Sequence, residues 1–157
     1  MRRAATAVVA ALLLLLSGCS VTAKAPPEVR VNAGSETVSI KPTQYCLDGK
    51  GQLYKVKPPV VQVDPDMTIT LTVPDAVAKQ GWSVQVWDEK LASQLGEVHV
   101  DPGKAVFQVS SSDTVPPAYY FVVVEKSGSA CHQVSGAWPV GFVRSGGTAP
   151  ASASAQS

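Results

Sequence analysis

Two histidines, His99 and His132, are the only imidazoles in the 157-residue chain. For either to ligate a metal or act as a general base, a second ligand or an acid must stand at a defined spacing. His99 lies between Val98 and Val100, an alternation that turns it to the solvent face of a strand. His132 follows Cys131, as a copper-binding corner would have it, but such a site also draws on a second His and usually a Met soon after the cysteine. Met67 is the only methionine besides Met1, and it precedes that cysteine by far. Paired acids occur at Asp64/Asp66 and Asp88/Glu89, the residue types used for calcium or for glycosidic cleavage. Both pairs sit in turn-forming contexts, where carboxylates serve as solvated caps. No Gly-x-Ser-x-Gly elbow and no glycine-rich phosphate loop is present, and no cofactor is implied. An envelope hydrolase or metal-handling protein using an acid pair or His132 is therefore the alternative reading, not the leading one. Among the aromatic residues, Trp87, Tyr119, Tyr120 and Trp138 are the candidates for outward-facing rings that would contact a sugar or peptide.

The cysteines carry more information. Met1-Arg2-Arg3, an apolar run over residues 4–16 and then Leu16-Ser17-Gly18-Cys19 follow the basic, apolar, small-residue order of a secretory leader. The run is too short for a stable membrane span, which needs roughly 20 residues. Leu16, Ser17, Gly18 and Cys19 look like a lipobox, in which the cysteine thiol is alkylated by a diacylglycerol and the chain is cut before it. Residues 1–18 are then removed, and acyl chains on Cys19 hold the protein on the outer face of the cytoplasmic membrane, each buried CH₂ contributing about 0.8 kcal/mol. With Cys19 consumed, Cys46 and Cys131 remain as an even pair in an exported, disulfide-permissive setting. Bridging them closes a loop for which chain entropy predicts about 4.5 kcal/mol of stabilisation.

These residues need a scaffold, and the composition points to strands. Loss of Arg2 and Arg3 leaves 11 basic against 12 acidic residues, a near-neutral balance that argues against nucleic acid as a partner. Met67-Thr68-Ile69-Thr70-Leu71-Thr72-Val73 alternates strictly and ends at Pro74, the pattern of a half-buried strand. Trp82-Ser83-Val84-Gln85-Val86 alternates in the same sense, with Trp87 on the opposite face. Further strands are expected over 29–32, 37–40, 60–63, 97–100, 105–110, 119–125 and 137–143. Turn signals separate them at 48–51, 63–66, 101–104 and 127–128. A helical pattern is confined to residues 75–79.

Short strands at this spacing predict an all-β, antiparallel, immunoglobulin-like β-sandwich stapled by one disulfide. Its core is drawn from Ile40, Ile69, Leu71, Trp82, Val84, Val86, Val98, Phe107, Val109, Phe121 and Val123. Residues 19–28 read as a lipidated N-terminus and flexible tether, 29–144 as the sandwich, and 145–157 as a disordered Gly/Ala/Ser tail.

The lipobox is joined by the segment Pro42-Thr43-Gln44-Tyr45-Cys46-Leu47-Asp48-Gly49, by Val63-Asp64-Pro65-Asp66 through Ile69 and Leu71 to Gly81-Trp82, and by Cys131 with Gly136-Ala137-Trp138-Pro139-Val140. Together they resemble a family of small, uncharacterised lipoproteins of actinobacteria that form a domain of unknown function. The resemblance implies an actinobacterial cell envelope and brings no activity, substrate or catalytic residue. The expected function is a non-enzymatic binding or structural module, attached to the membrane through Cys19, whose partner is an envelope protein or polysaccharide; the step from sandwich to binding is fold analogy.

Overall fold

The structure, a computed structural model, describes residues 24–113, 117–126, 131 and 134–145. Its elements in chain order are β1 (Val29–Ala33), β2 (Glu36–Ile40), β3 (Gln44–Leu47), β4 (Lys50–Leu53), β5 (Val60–Val63) and β6 (Thr68–Thr72). There follow α1 (Asp75–Gln80), β7 (Trp82–Asp88), β8 (Gln94–Val100), β9 (Val106–Ser110), β10 (Ala118–Lys126) and β11 (Val134–Arg144). One sheet has the order β2-β1-β6-β9, and the other β4-β3-β11-β10-β7-β8 with β5 alongside β11. All pairings are antiparallel except β5 with β11. The expected two-sheet antiparallel architecture is therefore what the chain adopts. No described helix is long and apolar enough to cross a membrane.

Local chemistry explains the elements. The alternation Thr68-Ile69-Thr70-Leu71-Thr72 puts Ile69 and Leu71 into the core and the threonines outward. Asp48 and Gly49 both take positive φ, 49° and 75°, and Leu47 pairs with Lys50. That two-residue Asp-Gly loop has the twist that joins neighbouring strands, so β3 and β4 form a hairpin where the sequence reading marked only a turn. In Asp101-Pro102-Gly103-Lys104, Gly103 has φ 86° and the Lys104 N–H donates to the Asp101 carbonyl at 3.1 Å. Pro139 is tolerated inside β11 for a register reason. Neighbours Ala137 and Gly141 direct their backbone groups toward Thr43 and Pro59, so position 139 faces the same way. There β3 has ended at Ala137 and β5 begins only at Gly141, so the missing N–H lacks no ladder partner.

The core joins both sheets: Val29, Val31, Ile40, Ile69 and Leu71 from one, and Trp82, Val84, Phe121, Val123, Trp138, Val140 and Phe142 from the other. The Trp82 indole N–H donates to the Lys104 carbonyl at 2.7 Å, which removes the cost of burying it. Cys46 and Cys131 form the expected disulfide, with Cα atoms 5.9 Å apart across 85 residues of sequence. It fastens β3 to the segment entering β11, the strand with which β3 pairs.

Two expectations are corrected. Val98, assigned to the core, is 45% exposed, and Val86, Phe107 and Val109 are only partly buried. The cause is a mismatch of widths. The four-stranded sheet ends at β9, whose Phe107 meets Trp82 of β7 edge to face at 6.5 Å, so β8 projects past it with one inner face uncovered. The second correction concerns the segment read as a tether. Residues 24–28 lie against the domain: Pro26 and Pro27 are half-buried, and the Pro27 carbonyl accepts the Trp138 indole N–H at 2.8 Å.

Candidate functional site

The width mismatch creates a cleft between the sheets. It has a volume of about 330 Å³ and is lined by Val84, Val86, Val98, Phe107, Val109 and Phe121, with Gln108 as its polar member. The volume falls in the range of sites that hold small or extended apolar ligands, and the lining has the expected character, apolar walls with an isolated hydrogen-bonding group. Among the described residues, β8 pairs only with β7 and β9 only with β6. Both lips of the cleft are thus free strand edges, offering backbone N–H and C=O groups to an added strand. On the same two edge strands, Val106 of β9 and Leu95 of β8 are 50% and 49% exposed.

The aromatic candidates behave differently from expectation. Tyr119, Tyr120 and Trp138 are 0%, 1% and 0% exposed. Strand parity puts Tyr119 and Trp138 inside, Tyr119 stacked on Phe142 at 5.5 Å and Trp138 tilted against Tyr45 at 5.8 Å. Tyr120 faces the other way but sits in register between Trp87 and Gly141, and it is covered all the same. Only Trp87 is half-exposed, and its indole N–H is spent on Gln85 at 3.1 Å. These four rings build no platform.

The outer surface of β7 and β8 gathers Ser83, Glu97 and His99. The Ser83 hydroxyl donates to Glu97 at 2.6 Å, and His99 Nδ1 stands 3.9 Å from the same carboxylate. The Ser83 hydrogen bond holds the Glu97 carboxyl below its usual range, against partial desolvation. A nucleophilic serine needs the imidazole next to it and the acid behind the imidazole. Here the acid stands between them, so the trio does not assemble that relay. His99 is exposed, as its alternation indicated.

The acid pairs are occupied by turns. Asp88 accepts backbone N–H groups from Ala92 and Lys90, and the first of these bonds, chiefly, lowers its pKa. Asp66 accepts from the Ser112 hydroxyl, and Asp64 from that of Ser145. Among the described residues, no three of His, Cys, Asp and Glu gather as a metal group. Leu16, Ser17, Gly18, Cys19 and His132 lie outside the described residues.

One group was missed. Glu125 is 4% exposed, on the inward parity of β10, in a row with Trp82 on one side and Gly136 on the other. Burial pushes its carboxyl up to about 7. The Tyr45 phenol is raised too, by its own burial first and then by Glu125 and Tyr54. The sequence signal existed: a strand over 119–125 with Phe121 and Val123 inward must also turn Glu125 inward.

Comparisons place the chain without adding a ligand. No curated protein and no solved structure matches it. Residues 22–131, well over half of the sequence, match the family described as "Protein of unknown function (DUF2771)", with β11 lying beyond the matched region. The chain belongs to that family.

Proposed function

We propose that this protein is a lipid-anchored, non-catalytic binding module of an actinobacterial cell envelope, and that its cleft between β8 and β9 receives an extended apolar segment of a partner protein. One observation carries the proposal: an apolar inter-sheet cleft whose two lips are free strand edges. An added strand gains main-chain hydrogen bonds from an edge, and its alternate side chains enter the cleft. A protein partner is favoured over a polysaccharide because three of the four aromatic candidates are buried. The anchor is the acylated Cys19, which supplies the membrane address.

Both parts are tested on intact cells. A photo-crosslinking residue at position 98 should capture one discrete envelope protein, and Val109→Asp, which puts a charge into the cleft, should reduce that product at least tenfold. Equal capture from position 36, at the far end of the other sheet, would remove the cleft from the proposal. Cys19→Ala should leave the protein uncut or release it in soluble form; membrane fractionation and wild-type migration of that variant would refute the anchor.

A further inference from the structure

We infer that the flank of the sandwich opposite the β8–β9 cleft is a docking face for an anionic phospholipid surface, its contacts made by Lys24, Lys41, Lys55 and Lys57. The orientation rests on the proposed acylation of Cys19, whereas the charge of the face does not. The face lies where β2 edges one sheet and where the other ends in β4, with β5 alongside β11; residues 24–28 and the strap of residues 54–59 contribute to it. Three shallow clefts run along it and share their walls. Lys41 and Val56 line two of them, Glu28 links the first to the next, and Lys57 closes the series.

Charge is divided across the molecule in a way that the total conceals. Residues 24–63 carry six basic and three acidic side chains, whereas residues 64–145 carry five basic and nine acidic. The four lysines are exposed, and among the described residues none of them lies within ion-pair distance of a carboxylate; the cationic partner of Asp101 is Lys104, outside this face. Glu28 is the only acid lining the three clefts. A basic surface of this kind, with its lysines unneutralised, complements a leaflet rich in anionic headgroups.

The seated N-terminal segment turns that complementarity into proximity. With the Pro27 carbonyl held by Trp138 and with Ala25 and Pro26 lining the first cleft, the chain already lies on the domain ahead of β1, and Lys24 stands five residue steps from Cys19. Five residue steps span at most about 18 Å. Acyl chains on Cys19 would hold its backbone at headgroup depth, which keeps Lys24 within about two decay lengths of the surface potential, roughly 8 to 10 Å each, and Lys41 lines the same cleft as Ala25 and Pro26. The opposite flank with the cleft then points away from the membrane, toward the envelope partner.

The test uses the mature chain from residue 19 with Cys19→Ser, which removes the acylation point and leaves the rest intact. Sedimentation with phosphatidylglycerol vesicles at low salt should show binding that is absent with phosphatidylcholine vesicles and is lost on raising the salt. The triple substitution Lys41→Glu, Lys55→Glu, Lys57→Glu should weaken it at least tenfold, since each lysine at such a surface is worth roughly a factor of five. Lys79→Glu, Lys90→Glu, Lys126→Glu changes the net charge equally on exposed sites elsewhere and should leave most of the binding. All of these positions are exposed, and unchanged thermal unfolding checks that both variants fold. Equal loss in the two triple variants, no preference for the anionic vesicles, or release by millimolar inorganic phosphate at constant ionic strength would each overturn the docking face. A failed vesicle result leaves the anchor standing, and a Cys19 found unacylated in cells removes the anchor while leaving the vesicle result.

Discussion

Among the described glycines, Gly136 has the least room for a side chain. A Cβ there would lie 2.3 Å from the Trp138 ring and 3.0 Å from that of Tyr45, both held in the core and neither able to swing away. Gly136→Ala should therefore destabilise the fold by about 1–3 kcal/mol, seen as a lower midpoint in urea, because overpacking forces strained rotamers. Next to it, Glu125 makes stability depend on pH in an unusual direction. Its folded-state pKa of about 7 exceeds the usual 4.5, so between those values the native state keeps a proton that the unfolded chain has lost. The stability it allows is full below about pH 4.5, falls as pH rises toward 7, and stays at its reduced level above that. Wild type should be less stable at pH 8 than at pH 5, and Glu125→Gln should remove that component, worth on the order of 1–2 kcal/mol once solvent screening is allowed for. A difference between pH 5 and pH 8 that is unaltered in Glu125→Gln would assign it to other groups. Residue-level reading of the sequence succeeded where neighbours set the environment, as at His99, and failed at Tyr119, Tyr120 and Trp138. Whether a ring on a strand is covered depends on the opposing sheet, about which one strand's alternation is silent.

At the level of elements, all nine strands expected from alternation and apolar runs are present, and α1 occupies the one helical stretch. The two that were not foreseen, β3 and β4, are only four residues each, Gln44-Tyr45-Cys46-Leu47 and Lys50-Gly51-Gln52-Leu53, too short to show a clear alternation. They are strands because Asp48-Gly49 supplies the hairpin and because β11 and the disulfide hold β3 in place, which are causes outside their own composition. The prediction at this scale follows. Gly49→Val, at a φ of 75° that a β-branched residue adopts only with strain, should loosen the hairpin selectively. Hydrogen exchange of the Leu47 and Lys50 amides should accelerate, while amides of β10 stay protected. Uniform acceleration across both sheets would show that the hairpin belongs to the global folding unit.

For the molecule as a whole, the disulfide joins the front of the domain to its last strand, and its removal frees a long loop. Cys46→Ser with Cys131→Ser should cost about 2–5 kcal/mol and lower the thermal midpoint by several degrees. The cleft between β8 and β9 was beyond the reach of sequence for a geometric reason. It exists because one sheet is narrower than the other, and strand patterns fix neither sheet order nor the overhang that leaves Val98 exposed. The seated N-terminal segment has a mechanical consequence as well. If the chain is held at Cys19 while a partner is gripped at the β8–β9 lips, tension enters through β1, an interior strand hydrogen-bonded along both sides, to β2 and to β6. A pull along such a strand loads its lateral hydrogen bonds in parallel, as shear, so they share the force instead of opening one after another. An anchor feeding an edge strand would peel it off, whereas tension entering through β1 would meet a stiff domain.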